Sequence, residues 1–157
     1  MSRFARLTLI TLCGLLVYQH LLHVDLPYAD RTYQDHLWVV DGTAPGPYRY
    51  RVLVPVLVEH MAGLLPVPHR SAVLAVDTLI VWGGLCAYVF GLFVFLSRRF
   101  SEGLALLGCA VAALALSSTF VWTIRAWPGS WLESALLVWG LVWLDGHFSP
   151  RSSPWRR

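Results

Sequence analysis

At 157 residues, 57% of them hydrophobic and only 13% charged, this chain carries about half the charge of a typical soluble domain. A water-soluble exterior cannot be assembled from that composition, so the chain reads as a membrane protein. The net charge of +3 is small, comes from arginine without any lysine, and gathers toward the ends, which excludes a nucleic-acid-binding surface.

Residues 7–24 form the first apolar run, preceded by Arg3 and Arg6. The run resembles a signal sequence. It leads into His23-Val24-Asp25-Leu26-Pro27, without a small-x-small cleavage site, so an uncleaved first span is expected. Residues 25–70 make a long polar loop. Within it, 28–40 reads as a short helix and Asp41-Gly42-Thr43-Ala44-Pro45-Gly46-Pro47 as a turn. Residues 56–65 are too few to span and read as a helix in the membrane interface, with Pro55 in its first turn and Pro66 and Pro68 ending it.

Three more apolar runs come after the loop, at 71–97, 103–124 and 131–144. The run 71–97 is long and broken only by Asp77, 103–124 has no charge, and 131–144 is the shortest. The third span, 103–124, is rich in small residues, among them Gly103, Ala105, Gly108, Ala112 and Ala113, which predicts a central helix in close contact with its neighbours. Before the fourth, Ser130-Trp131-Leu132-Glu133 matches a capping box, and Trp122, Trp127 and Trp131 mark an interfacial belt. The expected architecture is all-α: a single membrane domain, 1–157, with four transmembrane helices and a large first external loop carrying short interfacial helices.

Arginine orients these spans. Arg3 and Arg6 precede the first, Arg98 and Arg99 lie between the second and third, and Arg151, Arg156 and Arg157 come after the fourth. With four spans all three groups share one side, which the positive-inside rule makes cytoplasmic. Both termini are then inside, in a bacterial inner (plasma) membrane, and the loop 25–70 is outside. That loop holds most of the ionisable groups away from the cytoplasmic ends, including Asp25, Asp30, Asp35, Asp41, Glu59, Arg31, Arg49, Arg51, Arg70, His36, His60 and His69. Chemistry, if the chain performs any, is expected there.

Asp30 and Tyr33, a glycine–proline turn, and then Pro47-Tyr48-Arg49-Tyr50-Arg51-Val52-Leu53-Val54-Pro55 carry a resemblance. Over residues 7–97 the chain resembles the N-terminal part of bacterial GT-C-type glycosyltransferases, membrane enzymes that take sugar from a polyprenyl-phosphate carrier at the outer face. Such enzymes are longer and have more spans, so the chain is expected to be the N-terminal part of such a fold, or to work with a membrane-protein partner. The resemblance implies membrane lipid and a polyprenyl-phosphate sugar as ligands, and hexosyl or pentosyl transfer as the reaction. A carboxylate would accept the proton of the acceptor hydroxyl, with or without a divalent metal ion, and cations would steady the departing phosphate. Asp30 is the first choice for the carboxylate, with Asp25 and Asp35 as alternatives. Arg51, with Arg49 behind it, suits a lipid phosphate because the guanidinium fork fits phosphate oxygens. Tyr33, Tyr48 and Tyr50 would line the substrate site.

Three other features carry weaker expectations. Asp77 lies about 9 Å into its span and is either a functional group or a carboxylate paired with Arg70 or Arg125. Together with Glu133 and the Gly83-Gly84 pair it admits a small transporter, although no second span carries a matching break. His20 and His23, three residues apart, share a helix face that a metal could use, but interfacial histidines are the commoner case; spans two to four hold no histidine to face them across a haem. Cys13, Cys86 and Cys109 stand singly in apolar runs and give no support to a disulfide framework or a zinc site. The competing function class is a non-catalytic four-span accessory or scaffold subunit.

Overall fold

A computed structural model describes residues 1–22, 26–44, 53–123 and 129–148, with the side chains of 26, 116–123, 129–131 and 148 outside the description. Among the described residues the chain is all-helical, without strands. The six helices are α1 (Arg3–His20), α2 (Leu26–Val40), α3 (Leu53–Ala62), α4 (His69–Ser97), α5 (Glu102–Thr123) and α6 (Gly129–Phe148).

Local chemistry sets most of these boundaries. Ser2 caps α1, its hydroxyl accepting from the Ala5 amide at 3.1 Å. At the end of α2 the Gly42 amide donates to Val39 O at 3.2 Å and the Thr43 amide to Trp38 O at 2.9 Å. That bonding pattern is a Schellman motif, and it needs the left-handed backbone Gly42 adopts at φ 69°. The expected turn is therefore in place, as far as Ala44. The helix expected over 56–65 is shifted to 53–62. Pro55 does lie in its first turn, but Gly63 stops it before Pro66 can, with turn bonds Leu64 N to Met61 O and Leu65 N to Ala62 O taking over. At α6 the helix begins at Gly129, so Ser130 falls inside it and not at the capping position expected of it.

Contacts along the helices fix their directions. Ser2, at the start of α1, donates its amide to Glu102 Oε2 at 3.0 Å and its hydroxyl to the same carboxylate, so α1 and α5 start together. Above that point Ala5, Leu9 and Leu16 pack with Ala105, Leu106, Cys109 and Ala113, along with Val89 and Phe93 from α4. The α4–α5 turn reverses the chain, with the Phe100 amide on Leu96 O at 2.9 Å. α6 runs in the same direction as α4: Trp139 Nε1 donates to Ala87 O at 3.0 Å, and Arg98 at the end of α4 reaches Val142 O at 2.6 Å. Arg3, Arg6, Arg98 and Arg99 thus gather at one end of the bundle, and α2, α3 and the start of α4 lie at the other.

The helix at the centre is α4, not the small-residue α5 expected there. α4 touches all five other helices, and its most extensive partner is α6. Gly91 permits that approach, since a Cβ there would meet Val138 Cγ1 and Trp139 Nε1 at 3.0 Å. Among its described side chains α5 buries the small-residue strip Ala105, Cys109 and Ala113, and turns Leu104, Leu107, Val111 and Leu114 outward. Small residues on one face allow close approach on that face alone. α4 also runs through Gly83-Gly84 as continuous helix, so the break that a transporter reading needs is not formed.

By length and composition one described helix, His69–Ser97, is long and apolar enough to cross a membrane. The described apolar stretch of α5 is shorter, Glu102–Ala115, and four crossings are not supported by this criterion. α1 is diluted by Arg3, Arg6, Gln19 and His20 at its ends. α6 is longer than the expected 131–144 but carries Glu133 and Asp145.

Candidate functional site

The described polar groups away from the basic end converge where α2, α3 and the start of α4 meet. Their platform is apolar: Val54, Val58 and Ala62 of α3 pack on Ala72, Val73 and Val76 of α4, with Tyr33, Ile80 and Leu132 against them. Glu59, one residue beyond Val58, is carried to the edge of this platform. His36 Nε2 lies 2.9 Å from Glu59 Oε1, and His69 Nε2 lies 2.9 Å from Glu59 Oε2. The Tyr33 hydroxyl lies 3.3 Å from His69 Nδ1, its ring set edge-on to the imidazole. Four side chains from three helices therefore form one chain, Tyr33–His69–Glu59–His36. Its inner end is buried and its outer end open: the His36 side chain is 6% exposed and that of His69 is 50% exposed.

The charge of Glu59 is set by its neighbours. Burial alone would raise its carboxyl, but hydrogen bonds from His69 and His36 together with the pull of their positive charge outweigh burial and hold it below the ordinary value of 4.5. An ionised carboxylate only accepts, so both Nε2 atoms carry the hydrogens. In the tautomer with hydrogen on Nε2 alone, His69 has its lone pair on Nδ1, where the Tyr33 hydroxyl at 3.3 Å is placed to donate.

Of the residues singled out in the sequence, Asp30 and Tyr33 lie at this end, on α2 with His36. Asp30 is 87% exposed at its side chain and paired with Arg70, so its carboxylate is engaged and in water. Asp35 pairs with Arg31 at 3.7 Å, one turn away on the same helix. Burial pushes the Asp35 carboxyl up, with Arg31 opposing. Asp77 is buried, 7% exposed, about two turns further along α4 than His69. The Arg70 guanidinium, one of the two partners considered for Asp77, is paired with Asp30. Asp25, Tyr48, Arg49, Tyr50 and Arg51 lie outside the described residues, as do His23 and Arg125.

Glu59, His36 and His69 appear in the sequence only as members of a charged loop. The separations between partners, 23 residues for His36–Glu59 and 36 for Tyr33–His69, hide the pairing. One signal is legible: Asp30, Tyr33 and His36 recur every three residues, which puts them on one face of a helix. Among the described residues no group of three or more His, Cys, Asp or Glu is arranged to hold a metal ion. The histidines meet Glu59 as hydrogen-bond donors. No protein-family profile matches the chain, and comparisons with curated proteins and with solved structures return no match.

Proposed function

We propose that this chain is a four-span protein of the bacterial inner membrane that handles a lipid-linked sugar at the outer face, in the manner of the N-terminal part of a GT-C-type transferase. The observation that carries the reading is the partition of the molecule. Among the described residues the paired charges lie toward its two ends. Between them α1, α5 and α6 turn large apolar side chains outward, among them Leu7, Ile10, Leu15, Leu107, Val111, Leu114, Leu136, Leu137 and Trp143. An apolar surface of that extent calls for an apolar surrounding. Helices of 18, 22 and 20 residues are about 27, 33 and 30 Å long, near the thickness of a bilayer core. α4, at 29 residues, would tilt or project beyond it. The arginine-rich end then faces the cytoplasm.

The sugar-lipid part of the reading draws on the sequence resemblance, and on α2 and α3 meeting the start of α4 beside ionisable groups. Its test is cell-surface sugar modification in Asp30→Asn and Arg51→Ala variants that still insert. Loss in both is expected. Unchanged modification in both puts the accessory-subunit reading ahead. The Asp30–Arg70 pair favours that second reading, because it occupies the first-choice carboxylate in a link between α2 and α4.

A further inference from the structure

We propose that Tyr33, His69 and Glu59 form a proton-accepting chain for a substrate hydroxyl, with His36 as a positioning residue. The substrate class rests on the lipid-linked sugar reading above; the proton chemistry rests on the geometry. His69 is the only member that combines an accessible ring with a nitrogen lone pair, on Nδ1, and Tyr33 already addresses that atom at 3.3 Å. The length of that bond leaves it easy to exchange. An acceptor hydroxyl meeting the Tyr33 oxygen passes it a proton as the Tyr33 proton moves to Nδ1. The hydroxyl oxygen then attacks the anomeric carbon, the bond from that carbon to the carrier phosphate breaks, and the phosphate leaves with the electron pair. The proton ends on His69, and the imidazolium is neutralised by Glu59 Oε2 at 2.9 Å.

His36 explains why Glu59 can serve. A carboxylate with two free oxygens could rotate or take the proton itself. Here Oε1 is tied to His36, which is buried on α2, and Oε2 is left aimed at His69. This is the logic of a base oriented by a third group. Among the described residues, the charged and titratable groups beside the chain are Asp30 and the Arg31–Asp35 pair from α2, His60 from α3, and Arg70 next to His69 on α4. Asp30 and Arg70 satisfy each other. That leaves Glu59 as the carboxylate hydrogen-bonded to His69.

Two arms test this with the full chain in phosphatidylethanolamine–phosphatidylglycerol vesicles. The first is diethyl pyrocarbonate modification at neutral pH, read by mass spectrometry with the exposed His60 as internal reference. Tyr33→Phe removes the donor on Nδ1, so His69 is expected to react several-fold faster relative to His60 than in the wild type. No increase, or an unreactive His69, overturns the chain. The second arm is sugar release from a synthetic polyprenyl-phosphate sugar. His69→Gln should lose at least about 100-fold. Glu59→Gln should move the acid limb of the rate profile toward lower pH, a displacement that a purely structural Glu59 would not produce. A His69→Gln variant at the wild-type rate overturns His69 as proton acceptor. If the first arm succeeds and the wild type releases no sugar, the lipid-linked sugar reading falls and the proton chain stands.

Discussion

The two ends of the bundle hold their helices together with different chemistry. At the basic end Arg99 bonds Asp145 at 2.7 Å and lies over the Phe95 ring, while Arg98 reaches Asp145 at 3.5 Å and the Val142 carbonyl at 2.6 Å. Those guanidiniums sit toward the C-terminal end of α6, where the helix dipole favours a cation. Arginine does not give up its proton, so the contacts of Arg98 and Arg99 act as a clamp. At the opposite end the donors are imidazoles around a carboxylate, and imidazoles exchange protons near neutral pH. The same architectural task, tying neighbouring helices, is done at one end by groups that are fixed and at the other by groups that can act.

The largest break in that comparison is expected from Glu59→Ala. It leaves the buried His36 N–H without its acceptor, at about 1–3 kcal/mol, and it removes the bonds that tie α3 to α2 and to α4, leaving α2 joined to α4 through Asp30–Arg70 and Tyr33–His69. Hydrogen exchange of α2 and α3 amides should rise sharply while α5 and α6 stay protected. Acid should do the same more gradually. The Glu59 carboxyl is lower in the folded chain than its ordinary 4.5, so its contribution is fully present above pH 4.5 and is lost as pH falls through the depressed value. Asp35, whose carboxyl is raised, acts in the opposite sense and moderates the loss. Amide exchange in α3, monitored from about pH 6 to pH 3, checks the sign.

At the other end Asp145→Asn should cost about 1 kcal/mol, because Arg98 keeps the Val142 carbonyl of α6 and Arg99 the Phe95 carbonyl of α4. Thermal unfolding in detergent is the readout. The smallest effect is expected from Asp30→Asn, whose pair with Arg70 is exposed on both sides; at under about 1 kcal/mol it should leave stability nearly unchanged. A large loss of folding there would mean that Asp30 is a structural staple and would spoil it as a probe of function.

Much of the helical layout is legible in the residues. α2, α4 and α5 begin and end within about two residues of expectation, because Pro27, Gly42, Pro68 and the Arg98–Ser101 turn punctuate the chain strongly. α3 departs from expectation because Gly63 stops the helix before Pro66 and Pro68 can act on it. The central helix departs because small residues matter along one face of a helix, and those of α5 are spread over several. At the polar end, Asp30 and Tyr33 are visible in the sequence by their place in a short helix. Glu59 and His69 are not, since nothing local distinguishes a solvated loop charge from one that meets a partner 10 or 23 residues away.

The central claim, that these two ends lie on opposite membrane faces with the imidazole end outward, is tested most directly by thiol labelling in intact cells. In a chain with Cys13, Cys86 and Cys109 replaced by alanine, single cysteines are placed at the exposed Leu64, beside the polar end, and at Ser101, in the turn at the basic end. With a membrane-impermeant maleimide, Leu64→Cys should label from outside, and Ser101→Cys only after the membrane is permeabilised. Labelling of Ser101→Cys in intact cells, or protection of Leu64→Cys, would contradict the account.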